Sequence, residues 1–292
     1  MVTIKLEKFM TNQELKEKSI NYRKKLLTYI KQANGGHTGG SLSCVDILNV
    51  LYHRILNVTP QNFTNPNRNH YIQSKGHSVE ALYVVLADKG FFPESDLNTL
   101  CHHGSHYVGH PTRKVKGIEH NTGALGHALS YCVGVALAEK MDGRNNNIYT
   151  LLGDGELAEG SNWEALLTAA HYKLDNLIVI VDYNKLQITG WTKDVCATDP
   201  LEQKFSAFGC SVRHVDGHDI EALTAVLKSV PFEKDKPSVI IAHTIKGKGV
   251  SFIENNYKWH HHVPSDAEFE QSMNELDQAL RLNIDRELKI EN

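Results

Sequence analysis

The segment Ile148–Asn184 constrains the fold of this chain more than any other. It opens with Ile148-Tyr149-Thr150-Leu151-Leu152, a short apolar run of strand-forming residues, and Gly153-Asp154-Gly155 follows. From Glu159 to Tyr172 the apolar residues Trp163, Leu166, Leu167 and Ala170 recur at helical spacing. Leu177-Ile178-Val179-Ile180-Val181 is then a second buried strand, ending at Asp182-Tyr183-Asn184. A helix of this length spans ~21 Å at about 1.5 Å per residue, enough to return along one strand, so the two strands are expected to run parallel. Asp154 and Asn184 then both lie just past strand carboxyl ends, the edge where open α/β sheets bind ligands. Their hard oxygens suit Mg²⁺ or Ca²⁺, and Mg²⁺ completes its shell with phosphate oxygens and water. Gly153 and Gly155 let backbone approach a phosphate. Asp-Gly alone is an ordinary turn; the second strand with its asparagine turns the local reading into a metal-bridged diphosphate site.

The rest of the chain alternates in the same way. Helices are expected over Asn12–Gln32, from a Ser43 cap to about Asn57, over Val79–Asp88, Gly123–Lys140 and Ile220–Val230, and at the surface over Ser265–Ile284. The plain alternative for Gly39-Gly40 is a turn ahead of the Ser43 cap. Strands are expected at Tyr71-Ile72, within Phe208–Val215 and over Ser238–His243, while Phe91–Ile118 and the stretch from Asn184 to Pro200 read as loop. Alternating strands and helices without a linker or repeat predict one doubly wound, mainly parallel α/β sheet with helices on both faces, spanning 1–292 with a helical C-terminal extension at about 263–292.

Composition removes several function classes. Of 292 residues 22% are charged and 41% hydrophobic, and the net charge of −3 gives no electrostatic footprint for nucleic acid. No stretch approaches the ~20 apolar residues of a membrane span, and Met1 to Met10 has no signal-peptide apolar core. Five cysteines without a CxxC pair read as free thiols of a cytoplasmic protein. Histidine is the outlier, with 17 copies. Several follow glycine, at His37, His77, His110 and His127, where loop placement favours contact with a ligand. Cys101-His102-His103 with His106 fits no tetrahedral zinc spacing.

Six ordered elements together resemble the amino-terminal half of transketolases. The GDG…Asn signature is that of thiamine-diphosphate enzymes. Gly35-Gly36-His37-Thr38-Gly39-Gly40 is similar to the family's GHPG loop, with Thr38 where proline is usual. Ser74-Lys75-Gly76-His77, Gly109-His110-Pro111, Gly117-Ile118-Glu119 with Thr122-Gly123-Ala124-Leu125-Gly126, and Trp259-His260 complete the set. His127-Ala128 departs from the family's Gln-Gly, so His127 receives no role.

The resemblance implies a thiamine-diphosphate-binding fold and a role for each matching residue. Asp154, Asn184 and the Leu186 carbonyl would hold Mg²⁺, with Ca²⁺ or Mn²⁺ able to substitute. Gly153 and Gly155 would border the diphosphate, which the Gly155 N–H and the side chains of His77 and His260 would reach. Gly123 and Leu125 would hold the aminopyrimidine, and Ile188 would pack on the thiazolium. His37 and His110 would bind the donor ketose, and His37 with His260 would form the acid–base pair, since imidazole titrates near neutrality. In the run His260-His261-His262, His261 is the alternative to His260. Glu159 would join the two cofactor sites across a subunit interface. Too little sequence follows Asn184 for the family's pyrimidine-binding and carboxy-terminal domains. The implied assembly is therefore a split transketolase, α₂β₂, whose second subunit carries those domains, and which moves a two-carbon ketol unit from a ketose, phosphorylated or sulfonated, to an aldose. The α subunit of a 2-oxo acid dehydrogenase, which the histidine loops disfavour, and a non-catalytic partner-binding paralogue are the competing readings.

Overall fold

A computed structural model describes residues 10–290; the stretch before Met10, where the sequence shows no signal-peptide core, and the last two residues lie outside the described residues. The five-stranded sheet has the order β1-β2-β3-β7-β6, formed by β1 (His70–Gln73), β2 (Ile148–Gly153), β3 (Leu177–Tyr183), β6 (Ser211–Asp216) and β7 (Ser238–His243). All four pairings are parallel. β4 (Leu186–Gln187) and β5 (Gly190–Trp191) form a separate antiparallel pair.

Topology follows from the right-handed crossover rule. From β1 to β3 and on to β6 the chain moves one way across the sheet, and α4 (Ala128–Met141), α5 (Gly160–His171) and α7 (Leu201–Ala207) pack on one face. The step from β6 back to β7 reverses direction, and α8 (Ile220–Lys228) crosses the opposite face, which it shares with α1 (Asn12–Ala33), α2 (Thr38–Val50) and α3 (Val79–Asp88). Strand side chains alternate between the two cores. Ile148, Leu152, Val179, Val181 and Ile241 join the layer of α4, α5 and α7, and Tyr149, Leu151, Ile178, Ile180 and Ile240 join the layer of α1, α2, α3 and α8. Both faces are covered, which is why these strands read as continuous apolar runs. The last helix, α9 (Asp266–Ile290), lies against α1 and buries Leu276.

Most expected elements are present. α1 carries a capping box: Thr11 Oγ1 accepts from the Glu14 N–H at 3.1 Å, and Glu14 Oε2 accepts from the Thr11 N–H at 2.6 Å. α8 is capped by Asp219. Three expectations are corrected. Ser43 does not cap α2, which starts five residues earlier at Thr38; Ser43 is interior, donating to the Gly40 carbonyl and Asp182. Gly39 and Gly40 lie inside α2 rather than in a turn ahead of it, and both are closely packed: a Cβ on Gly39 would sit 2.8 Å from the Trp259 carbonyl oxygen, and one on Gly40 would sit 3.3 Å from the His77 ring. The helix expected from Gly123 starts instead at Ala128, since Gly123 and Gly126 have φ of +139° and +83°. Between Asn184 and Pro200 the chain forms β4, β5 and the short α6 (Thr192–Val195), and α7 follows, none of which the sequence pattern showed.

Candidate active site

β2 and β3 pair in register so that Gly153 lies opposite Asp182. Past their carboxyl ends, Asp154, Asn184 and Leu186 line one cleft of about 210 Å³. The same cleft is lined by His37 at the start of α2, His77 in the 3₁₀ turn after β1, His110, Gly123 and Leu125 in the long loop before α4, and Gly153, Gly155, Ile188 and His260. The tertiary fold thus gathers every site residue named above except Glu159 and His261, both exposed and outside the cleft lining; the Glu159 Cβ lies only 2.5 Å from where a Cβ on Gly126 would stand. Gly40, Lys75, Glu156, Gln187 and Lys246 also line it, and no sequence motif had assigned them a role.

These additional residues build the floor. Lys75 Nζ pairs with Asp182 Oδ2 and donates to the Gly40 carbonyl at 3.0 Å. Asp182 also accepts from Ser43 at 2.6 Å, from Asn184 Nδ2 at 3.2 Å and from Thr244. Burial opposes charge on both partners, yet their attraction prevails: Asp182 is held below the usual carboxylate range and Lys75 above the usual lysine value. Glu156 joins three loops, accepting from Ser74 Oγ at 2.5 Å, the Gly126 N–H at 2.9 Å and the Gly153 N–H at 3.1 Å; burial still raises its pKa. A Lys or Glu beside a glycine motif gives no sequence signal that it will be buried; only the packing shows it.

Lys246 reaches the cleft from the turn after β7. Its Nζ donates to the Leu186 carbonyl at 3.1 Å and to His260 Nδ1 at 2.8 Å. With Nδ1 accepting, the neutral His260 ring carries its proton on Nε2. The turn is anchored by His218, whose Nε2 accepts from the Ile245 N–H at 2.8 Å while Nδ1 donates to Asp46 at 2.7 Å. Burial, followed by Lys75, lowers Lys246 to about 8.

The imidazoles pack on one another. His77 stacks on His260 with ring centroids 5.0 Å apart, and His37 meets His77, His110, His260 and His261 at 5.4, 5.7, 5.6 and 4.6 Å. Burial, then the His261 and His110 charges, lowers His37 to about 4; burial, then Lys246 and His37, lowers His260 to about 3. His77 is pushed well below its ordinary value by burial and Lys75, and His110 is lowered by burial. At neutral pH these four rings are uncharged, each offering one donor and one acceptor. Glu80 anchors the His37 backbone, accepting its main-chain N–H at 3.1 Å and the Ser41 hydroxyl at 2.7 Å. Gly36 allows this approach: a Cβ there would lie 2.9 Å from Glu80 Oε1, and its φ is +153°.

The donor set fits a hard cation and a diphosphate. Among the described residues Asp154 is buried without a salt-bridge partner, and burial with the neighbouring Asp182 charge raises its carboxyl to about 7, the behaviour of an anion lacking a counter-ion. Its oxygens accept from the Gly155 and Lys185 N–H groups. The Gly155 N–H donates to Asp154 Oδ1 at 2.8 Å, and a Cβ on Gly155 would meet Gln187 Cβ at 3.1 Å, so the glycine leaves space at this wall of the cleft. Asn184 Oδ1 accepts from the Leu186 N–H at 3.1 Å and retains a second lone pair. Among the described residues His37 Nδ1 and Gln187 Nε2 are buried without hydrogen-bond partners, polar atoms of the kind a bound ligand satisfies. Ile188, 65% exposed at the rim, offers an apolar face for a ring to cover. Among the described residues no three His, Cys, Asp or Glu side chains converge as a metal cluster.

Comparison with known proteins agrees with this geometry. Residues 15–289 match the thiamine diphosphate-binding domain family of transketolase. The chain is 50% identical over 271 residues to an apulose-4-phosphate transketolase subunit of Actinobacillus succinogenes, covering 91% of this chain and 97% of that one. It is 41% identical to a 6-deoxy-6-sulfo-D-fructose transketolase subunit of a Clostridium species, covering 87% and 93% of the two chains. Human transketolase is 36% identical over 249 residues, which is 85% of this chain but 40% of that one. The solved transketolase of Pichia stipitis superposes with a TM-score of 0.84 at 26% identity, over 94% of this chain and 45% of the other. A parallel sheet that gathers Asp154, Asn184 and the histidine loops at one edge, together with these matches, shows that this chain belongs to the transketolase family, as its thiamine diphosphate-binding part.

Proposed function

We propose that this chain is the diphosphate-binding subunit of a split transketolase, transferring a two-carbon ketol unit from a modified or phosphorylated ketose to an aldose. The observation that carries this reading is the single cleft uniting Asp154, Asn184 and the Leu186 carbonyl with the His37, His77, His110 and His260 imidazoles. Near full-length similarity to subunits of apulose-4-phosphate and 6-deoxy-6-sulfo-D-fructose transketolases supports a modified-sugar donor. The chain is one domain with a helical C-terminal extension, and a second subunit carries the pyrimidine-binding and C-terminal domains, in an α₂β₂ assembly with Glu159 at the interface between cofactor sites. Exposed free thiols at Cys101 and Cys196 suit the cytoplasm. Among the described residues no helix is long and apolar enough to cross a membrane.

Bound thiamine diphosphate would supply the carbon nucleophile and electron sink for cleaving the ketose between C2 and C3. Asp154, Asn184 and the Leu186 carbonyl would hold Mg²⁺, or Ca²⁺ or Mn²⁺ in its place, against the diphosphate. His77, with Lys75 and Lys246 behind it, would favour the diphosphate charge. Gly123, Leu125 and Ile188 would border the organic rings. His110 would bind the donor sugar together with His37. The neutral His260, its proton on Nε2, would donate to a sugar oxygen, and His37, with Nδ1 unpaired, would accept or return a proton. The test is thiamine diphosphate binding by the full chain with its partner subunit, with and without Mg²⁺, followed by aldehyde release from ketose donors. Asp154→Ala is expected to abolish Mg²⁺-dependent cofactor binding; affinity remaining within a few-fold would overturn the metal assignment. Robust turnover by the isolated chain would overturn the split assembly.

A further inference from the structure

We infer that His261, locked in place by Thr38, is a specificity-determining residue of this chain, hydrogen-bonding a donor-ketose hydroxyl beyond the cleaved bond. The inference rests on the ketol-transfer reading and moves part of the sugar selection from the partner subunit onto this one. Of the four imidazoles around His37, His261 is the nearest, meeting it edge-on at 4.6 Å and 72°. His260 faces inward: its Nδ1 is taken by Lys246 and its ring lies over His77. His261 is exposed, and among the described residues none hydrogen-bonds its ring.

Its position is built rather than incidental. Thr38 is fully buried and its hydroxyl donates to the His262 carbonyl at 2.5 Å. A proline there has neither a hydroxyl nor an N–H to make that bond. On the other side the His262 ring packs on Trp259 at 4.4 Å, and the Trp259 carbonyl rests against Gly39. The first turn of α2 and the Trp259 ring therefore hold the residues flanking His261, so that its imidazole stands beside His37 although it faces solvent. Asp154 is buried, whereas His261 is exposed and stands outside the cleft lining, its ring against that of His37, which does line the cleft. A ketose entering with its reacting carbons first leaves C3 and the carbons beyond on that exposed side. An imidazole, able to donate and to accept, is complementary to a hydroxyl.

The test uses the two-subunit complex with thiamine diphosphate and Mg²⁺, and apulose-4-phosphate, xylulose 5-phosphate, fructose 6-phosphate and 6-deoxy-6-sulfofructose as donors. His261→Ala is expected to raise KM for the preferred donor about tenfold, the loss of one neutral hydrogen bond, with kcat within about threefold by the same reasoning and cofactor affinity, read by fluorescence quenching, unchanged. His261→Asn, which keeps a donor, should recover part of the KM. Thr38→Val removes only the hydroxyl and should move KM in the same direction by a smaller factor. It decides the matter if His261→Ala disturbs folding. An active parent complex whose donor KM stays within twofold in both variants overturns the inference alone, as does a fall in kcat with KM unmoved. A parent complex that binds cofactor yet transfers from no ketose overturns the ketol-transfer reading along with it.

Discussion

Replacing Lys75 by methionine tests whether the charge beneath the cleft is structural. The Lys75 and Asp182 side chains are 2% and 0% exposed, so water cannot take over when one partner is lost. In Lys75→Met, Asp182 keeps its donors Ser43, Thr244 and Asn184 but loses its salt-bridge partner. Removing one member of a buried pair costs about 3–5 kcal/mol, against a typical total stability of about 5–15 kcal/mol. At ~2–4 °C per kcal/mol for a large domain, the melting temperature should drop by roughly 10 °C. The assay is urea and thermal unfolding of the full chain, followed by circular dichroism from pH 4 to pH 8. The native pair places Asp182 below and Lys75 above their ordinary values. A depressed carboxylate contributes stability above its unfolded pKa, and a raised lysine contributes below its own, so the parent holds the full contribution throughout that range. The variant's deficit should shrink as pH falls, because protonating Asp182 removes the orphan charge. A loss below about 1 kcal/mol, the scale of an exposed pair, or a deficit independent of pH would refute the reasoning.

Two further perturbations probe the supports of the cleft. Gly126→Ala forces a side chain onto a backbone with φ of +83° and places its Cβ 2.5 Å from Glu159 Cβ; it should cost about 1–3 kcal/mol and weaken cofactor binding by displacing Leu125, and unfolding and cofactor-titration curves that match the parent would contradict this. At Asp46, burial raises the pKa but Arg23 and His218 outweigh it and hold the carboxyl well below the usual range. Stability from Asp46 is therefore present above the unfolded value near 3.8 and lost as pH falls through the folded one. Asp46→Ala, which strands the buried Arg23, should lose about 3–5 kcal/mol at pH 7, and a gap in urea midpoint that fails to narrow toward pH 2 would count against the pair.

Much of this protein was legible in one dimension because its signals are local or periodic. The apolar runs of β2, β3 and β7 and the helical stripe between β2 and β3 demanded a parallel sheet, and Asp154 and Asn184 had to emerge at the same edge. The histidines were marked by their glycine neighbours. Only the tertiary structure decided what depends on contacts distant in the chain. Lys75 and Asp182 are separated by 107 residues, Ser74 and Glu156 by 82, and Lys246 and Leu186 by 60, and none of these pairs has a periodicity to announce it. The close packing at Gly39-Gly40 was hidden for the same reason: the Trp259 carbonyl and the His77 ring that approach them arrive from elsewhere in the chain. The burial that keeps the His37 and His260 rings neutral belongs to the assembled cleft and to no segment of it. Local sequence determines which groups reach a sheet edge, while desolvation and charge pairing, which need all the neighbours at once, set their chemical state.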